Sequence, residues 1–257
     1  MSGIKYFEST SSTNDIAAEW AGKDAGDLSL VVANEQTHGR GRYGHTWFTY
    51  PETSLAFSLV LNPNEEEISR SKSSIHRFIG LGALGVCFVL EKFYSLVPLI
   101  KWPNDLYLQN KKVSGVLVEA QWLGENLKSI IIGIGINISP QSIPKNVRLR
   151  SPATSLETET GFPIDKLLLL RQLLIEIINW RLKIYSEEFI RSWESHLVFL
   201  GMPVRCKWRG THDGLEGSSA VGRLIGLNDD GAIRLETIDR NEIILQEEII
   251  SLEPTDG

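Results

Sequence analysis

Three short stretches of this chain carry residue types that could work on phosphate. The first is Gly39-Arg40-Gly41-Arg42-Tyr43-Gly44. Glycines let a backbone bend closely around a ligand, and arginines offer forked donors to phosphate or carboxylate. The letters also fit the G-x-G-x-x-G dinucleotide fingerprint, but a Rossmann loop opens a helix and is followed by an acidic ribose ligand about 20 residues on. His45-Thr46-Trp47-Phe48-Thr49-Tyr50-Pro51 is a poor helix start. The run therefore reads as a mobile loop that clamps an anion, with an exposed Gly-rich hairpin as the plainer alternative. The second stretch is Lys101-Trp102-Pro103-Asn104-Asp105. Its Lys ends an apolar strand and Pro103 stops regular pairing. Asn104 and Asp105 sit at the resulting bend, where a carboxylate can meet Mg²⁺. The third is Lys112 with Gly115 in Lys112-Val113-Ser114-Gly115-Val116-Leu117-Val118-Glu119. Strict alternation puts Lys112 and Ser114 on one face of that strand. Taken singly, each also fits a plainer role: Lys101 a strand-end charge, Asp105 a turn former, Lys112 half of a solvated Lys-Lys hairpin.

Together the three suit one reaction, the adenylation of a carboxylate. A substrate carboxylate attacks the α-phosphate of ATP, and the mixed anhydride is then attacked by an amine. Two anions must be held side by side, which calls for Arg and Lys in a dry site, with Mg²⁺ bridging the phosphates. No enzyme nucleophile is needed. The chain has no Gly-x-Ser-x-Gly, no HExxH and no P-loop Lys-Ser/Thr after the glycines.

Composition sets wide bounds. The 257 residues, 42% hydrophobic and 23% charged, describe an ordinary globular chain of one large domain or a medium and a small one. A net charge of -6 argues against a surface that coats nucleic acid, though not against a local basic site. Met1 to Ser12 is polar, so no secretory segment is expected. No apolar run is long enough to span a bilayer. The two cysteines, Cys87 and Cys206, make neither a disulfide framework nor a CxxC metal site. Cytoplasm is the expected compartment.

The elements that must position these residues follow from periodicity. Ser9-Thr10-Ser11-Ser12-Thr13-Asn14-Asp15 precedes the short amphipathic run Ile16-Ala17-Ala18-Glu19-Trp20, a helix N-cap signal. The same cluster could hold polar ligand groups at a helix N-terminus. Strands are expected over 30–33, 54–61, 99–102, 112–120 and 127–138. A short one over 105–110 would form a hairpin through Asn110-Lys111. Helical spacing covers 69–94, 165–185 and 187–198. Strands interleaved with helices indicate an α/β or α+β domain. After Gly201-Met202-Pro203 come short strands near 204–208, 219–227, 232–236 and 242–245. The turn signals between them are Asp213-Gly214, Asp229-Asp230-Gly231 and Asp239-Arg240-Asn241, the spacing of a small β-barrel. A boundary falls near residue 200. An exposed edge near 127–138 would invite pairing of two copies, the basis for expecting a possible homodimer.

Read in order, Ser12-Thr13-Asn14, Gln36 with the Gly39–Gly44 loop and Trp47, Lys101–Asp105, Lys112 with Gly115–Glu119, and Gly133-Ile134-Gly135-Ile136-Asn137 resemble the biotin–protein ligase family over residues 5–140. The resemblance implies an α+β fold. A mixed-sheet catalytic domain of the biotin/lipoate ligase (class II synthetase-like) type would cover residues 1–200, and a small SH3-like β-barrel 201–257. It implies ATP and biotin as substrates with Mg²⁺. The implied product is biotin ligated to a specific lysine of a biotin carboxyl carrier domain, by way of biotinyl-5'-AMP. Ser12, Thr13, Asn14, Gln36, Gly39 and Arg40 would hold biotin, with backbone at Arg40 and Gly115 closing on it. Lys112 would meet the biotin carboxylate, Arg42 the adenylate phosphate, and Lys101 and Asn104 the nucleotide, with Asp105 acting through Mg²⁺. Trp47 would pack near the adenine and Asn137 bond its edge. Arg42, Lys101 and Lys112 are thus the expected catalytic set.

The family often has Arg where this chain has His45, and a neutral imidazole cannot replace a bidentate guanidinium. Too few residues precede Ser12 for the operator-binding helix-turn-helix of bifunctional members, so no DNA partner is expected. A lipoate–protein ligase shares the fold and logic but carries an Arg-Arg-x-Ser-Gly-Gly-Gly type loop, which this chain lacks. A non-catalytic effector-binding or interaction protein using the C-terminal strands is the alternative of a different class.

Overall fold

Period-two alternation in the first half of the chain becomes a seven-stranded mixed sheet. The computed structural model describes residues 2–70, 75–208, 211–212, 215–216, 219–245 and 249–255. The strands are β1 (Ile4–Thr10), β2 (Ser29–Gln36), β3 (Ser54–Leu61), β4 (Leu99–Lys101), β5 (Asp105–Leu108), β6 (Lys111–Leu123) and β7 (Asn126–Asn137). They lie in the order β1-β2-β3-β7-β6-β5-β4. Only β1 and β2 run parallel; the other neighbours are antiparallel.

The helices are α1 (Thr13–Ala21), α2 (Glu65–Ser69), α3 (Arg77–Tyr94), α4 (Leu156–Thr160), α5 (Lys166–Arg181) and α6 (Glu187–Ser195). On one sheet face, Phe57, Leu59, Val116, Ile132, Ile134 and Ile136 join the buried side chains of α3, α5 and α6 in the main core. On the other, Ala17 of α1 packs with Val31, Val60 and Ile131 in a small second cluster. The β7 residues of that face beyond Ile131 are Gly133, Gly135 and Asn137. Helix starts follow side-chain caps: Asp165 Oδ1 accepts from the Leu167 and Leu168 amides, and Ser186 Oγ from Phe189.

Several expectations shift. Strand β1 has no counterpart in the periodicity reading. β7 is central, paired with β3 on one side and β6 on the other, so its edge is not open to a second copy. The β5–β6 hairpin turns through Gln109 (φ 47°) and Asn110 (φ 63°), one residue earlier than Asn110-Lys111. A two-residue turn of this hand needs positive φ at both central positions. The expected helix from Ser69 begins at Arg77 among the described residues. Lys112 and Ser114 do not share a face. Leu106 pairs with Ser114 but Tyr107 with Lys112, so a bulge at Val113 breaks the alternation and returns Lys112 to the face of Gly115.

The C-terminal strands are β8 (Pro203–Trp208), β9 (Thr211–His212), β10 (Leu215–Glu216), β11 (Ser219–Leu227), β12 (Ile233–Glu236), β13 (Glu242–Leu245) and β14 (Ile249–Pro254). Five form an antiparallel sheet in the order β13-β12-β11-β8-β14, and β9 pairs with β10. The turn expected at Asp213-Gly214 lies outside the described residues. Gly231, at φ 84°, completes the expected turn from Asp229.

Trp193 of α6 joins the two sheets. It is fully buried, and a Cβ would stand 2.5 Å from its ring both at Gly80 of α3 and at Gly231. Trp102 Nε1 also donates to Gly231 O at 3.0 Å. Trp193→Ala should therefore lower the unfolding free energy by about 3–5 kcal/mol. Glu187→Ala, which breaks an exposed pair with Arg191 one turn away, should leave it within experimental error. Urea titrations of both variants check this.

Candidate active site

One cavity of about 490 Å³ opens over the glycine-bearing face of β6 and β7. That volume suits a small-molecule ligand. Ser12, Thr13, Asn14, Gln36, Arg40, Arg42, Trp47, Lys101, Asn104, Asp105, Lys112, Gly115 and Asn137 all line it, so the structure converges stretches that lie far apart along the chain. Gly39 does not line it. A Cβ at Gly39 would collide with Trp47 O, and its own carbonyl accepts from the Trp47 amide at 2.9 Å. It lies within the hairpin, against the Trp47 backbone.

The polar end is built by the start of α1. Ser12 is the N-cap by backbone, but its side chain makes no capping bond, and the helix begins at Thr13. Thr13 and Asn14 therefore stand in the first turn, buried, facing the sheet. Gln36 Oε1 accepts from the Thr13 amide at 2.8 Å and its Nε2 donates to Thr49 Oγ1 at 2.9 Å. Asn14 Nδ2 donates to Glu119 Oε2 at 2.6 Å, and Ser58 Oγ donates to Asn14 Oδ1 at 2.6 Å.

The glycine-rich run is a hairpin, not a helix start. Gln36 bridges to Thr49 and Arg40 to Thr46, with a turn of 3₁₀ helix at Arg42–Gly44 where Tyr43 has φ 57° and Gly44 φ 73°. Arg40 Nη1 lies 2.6 Å from Asp15 Oδ1, and Arg40 Nη2 3.4 Å from Glu119 Oε1. Arg42 donates to Tyr43 OH at 2.9 Å and lies over that ring, 4.8 Å from its centroid. Burial pulls the Arg42 guanidinium below its usual value, opposed by Tyr43 and Asp105. Trp47 lies against β7, where a Cβ at Gly135 would enter its indole ring.

The Lys101–Asp105 turn is held from two sides. Asn104 Nδ2 donates to Val116 O and the Val116 amide to Asn104 O, both at 2.9 Å, while Trp102 is tied to Gly231. Lys112 Nζ meets Asp105 Oδ1 at 2.6 Å and sits 5.5 Å from the Trp47 ring centroid. Asn137 Nδ2 donates to Thr154 O at 3.0 Å, leaving its oxygen for other donors.

Periodicity gave no sign of two further walls. Residues 142–151, with Arg148 and Arg150, close one side, and Arg150 contacts His45 of the hairpin. The alternating Val147-Arg148-Leu149-Arg150 was the available signal. Ser251, Leu252 and Glu253 bring the C-terminal sheet to the rim. Both cysteines are buried and unbonded; burial pushes the Cys87 thiol well up and that of Cys206 to about 12, so neither is a ready nucleophile. Among the described residues no cluster of three or more His, Cys, Asp or Glu could hold a metal, and no helix is long and apolar enough to cross a membrane.

Comparison with known proteins agrees with this geometry. A family model for the biotin/lipoate A/B protein ligase family matches residues 6–137. The chain is 32% identical over 236 residues to the bifunctional ligase/repressor BirA of Bacillus spizizenii, covering 90% of this chain and 69% of that protein. It is 29% identical to the biotin–[acetyl-CoA-carboxylase] ligase of Paracoccus denitrificans, covering 93% and 97%. The biotin protein ligase of Aquifex aeolicus, solved with biotin and ATP, superposes with a TM-score of 0.79 at 30% identity, covering 99% of this chain and all of that one. With the motifs gathered at one cavity and the likeness running the length of the chain, the protein belongs to the biotin/lipoate A/B protein ligase family.

Proposed function

We infer that this protein activates biotin with ATP as biotinyl-5'-AMP and transfers it to a lysine of a biotin carboxyl carrier domain. One observation carries the reading beyond the family. Arg42, Lys101 and Arg148 line the cavity with no carboxylate bonded to them among the described residues, and Arg150 faces an imidazole. In a chain of net charge -6, such a local excess of cations suits a polyanion. ATP has the charge to match it, and a carboxylate co-substrate adds one more.

In the first step a biotin carboxylate oxygen bonds to the α-phosphorus and the bond to pyrophosphate breaks. In the second a lysine amine bonds to the acyl carbon, AMP leaves, and the amine loses a proton. Ser12, Thr13, Asn14 and Gln36 hold the ureido ring, with backbone at Arg40 and Gly115 beside it. Lys112 meets the carboxylate, Arg42 the α-phosphate, and Lys101 the phosphates beyond. Trp47 flanks the adenine and Asn137 Oδ1 accepts from its amino group. Asn104 spends one side-chain N–H on Val116 O, which leaves its second N–H and its oxygen for a nucleotide hydroxyl.

Asp105 fits Mg²⁺ as a single carboxylate, since that ion is held by one or two carboxylates, phosphates and water. When bound, Mg²⁺ neutralises charge developing on the phosphates. Asp105, paired with Lys112, would be the residue to hold such an ion, and the Lys112 ammonium would then face the substrate carboxylate. Residues 1–200 form the adenylating domain in this reading, and 201–257 an SH3-like barrel whose β14 supplies part of the rim.

With biotin, ATP, Mg²⁺ and a carrier domain, intact-mass spectrometry should show one biotinyl group added to one acceptor lysine. A mass gain with lipoate and none with biotin would assign the other branch of the family. Lys112→Ala should weaken biotin binding by about 1.5–3 kcal/mol, roughly 10- to 150-fold, as read by titration calorimetry. Arg42→Ala should instead let the adenylate escape, labelling lysines of a bystander protein on a streptavidin blot. Wild-type affinity in the first and no leak in the second would remove both roles.

A further inference from the structure

Glu119 lies outside the substrate contacts given above, on the cavity side of β6. Its two oxygens take different partners. Oε2 accepts from Asn14 Nδ2 at 2.6 Å, and Oε1 from Arg40 Nη2 at 3.4 Å. An ionised carboxylate only accepts hydrogen bonds. It therefore decides which end of the Asn14 amide is nitrogen. Asn14 Oδ1 is turned away, toward Ser58 Oγ and over Gly133, where a Cβ would collide with it. A carbonyl oxygen has two lone pairs. Ser58 takes one, which leaves one for a donor in the cavity that both Asn14 and Gly133 line.

Arg40 brings the second half of the connection. It belongs to the glycine-rich hairpin and is anchored by Asp15, one residue beyond Asn14 on α1. Asp15, Glu119 and Arg40 thus form a clasp between the hairpin, the first turn of α1 and β6. Two carboxylates on Arg40 also offset the repulsion between it and the neighbouring Arg42.

We propose that Glu119 is a positioning residue: it orients Asn14 so that Oδ1 accepts an N–H of the biotin ureido ring, and through Arg40 it couples that orientation to the closed hairpin. This rests on the reading of the α1 end of the cavity as the biotin ring site. Glu119→Gln keeps shape and length. It can offer either end of its amide to Asn14, and it removes the charge facing Arg40.

Calorimetry on Glu119→Gln should show biotin binding weakened about tenfold, with KM for ATP and the melting temperature within twofold and about one degree of wild type. Amide hydrogen exchange over residues 38–45 should be faster in the variant without ligand. Double substitution with Arg40→Gln should accelerate exchange no further than Arg40→Gln alone. Wild-type protein that takes no biotin would overturn the ring-site reading and this proposal with it. Wild-type protein that takes biotin, beside a Glu119→Gln variant of equal affinity, would overturn the proposal alone. So would a variant that loses melting temperature and turnover together at unchanged biotin affinity, which marks a merely structural role.

Discussion

The site depends on a patch of sheet stripped of side chains. Gly115 of β6 pairs directly with Gly135 of β7, and Gly133 lies two residues along on the same face. Glycine in a strand weakens it, through lost packing and added chain entropy. Here the cost is offset across the sheet, where Val116, Ile132, Ile134 and Ile136 are buried. A Cβ at Gly82 of α3 would stand 2.8 Å from Val116 Cγ1, so helix and sheet approach closely behind the floor. In front of it, the bare backbone lets Asn14 rest over Gly133 and Trp47 over Gly135, with the Lys112 ammonium 3.5 Å from where a Gly115 Cβ would be. A rigid, well-packed rear face and an open front face come from the same two strands.

Charge is arranged on top of this floor in two classes. Arg40 and Lys112 have carboxylate partners, Asp15 with Glu119 and Asp105 respectively. Those pairs hold the hairpin and the β5–β6 ladder in place. Arg42, Lys101 and Arg148 have none among the described residues. The paired cations therefore shape the cavity, while the others create the field that a nucleotide enters. His45, where the family resemblance leads one to expect arginine, contacts Arg150 from the opposite wall. A guanidinium is thus present at that corner, supplied by another segment.

How much of this the sequence discloses depends on the range of the physics involved. Strand β3, buried on both faces, was legible to the residue, because its apolar run is bounded by polar turns. The convergence of Ser12, Lys101 and Lys112 came from recognised motifs and not from periodicity. Strand β1 escaped because it is a sheet edge, with Ile4 and Tyr6 more than 60% exposed, so its pattern lacks a clean buried face. Strand order is non-local, which is why the central β7 could be taken for an edge. A single bulged residue, Val113, was enough to misplace Ser114. The wall from 142–151 offers only the short alternation at 147–150, Ser251–Glu253 none, and both matter only through where the fold puts them.

Gly115 allows the account of the floor to be tested apart from stability. A Cβ there would meet Trp47 at 3.4 Å and Lys112 at 3.5 Å, ordinary contacts that ask nothing to move. The methyl group would instead take space from the cavity. Titration calorimetry of biotin into Gly115→Ala, beside its thermal melt, reads both quantities. A floor that lies against the ligand predicts an unchanged or higher melting temperature, since alanine restricts the unfolded chain. It also predicts biotin affinity reduced by about 5- to 150-fold, the equivalent of roughly 1–3 kcal/mol of overpacking. Wild-type affinity at wild-type stability would contradict it, and would mean that biotin does not lie on the glycine face.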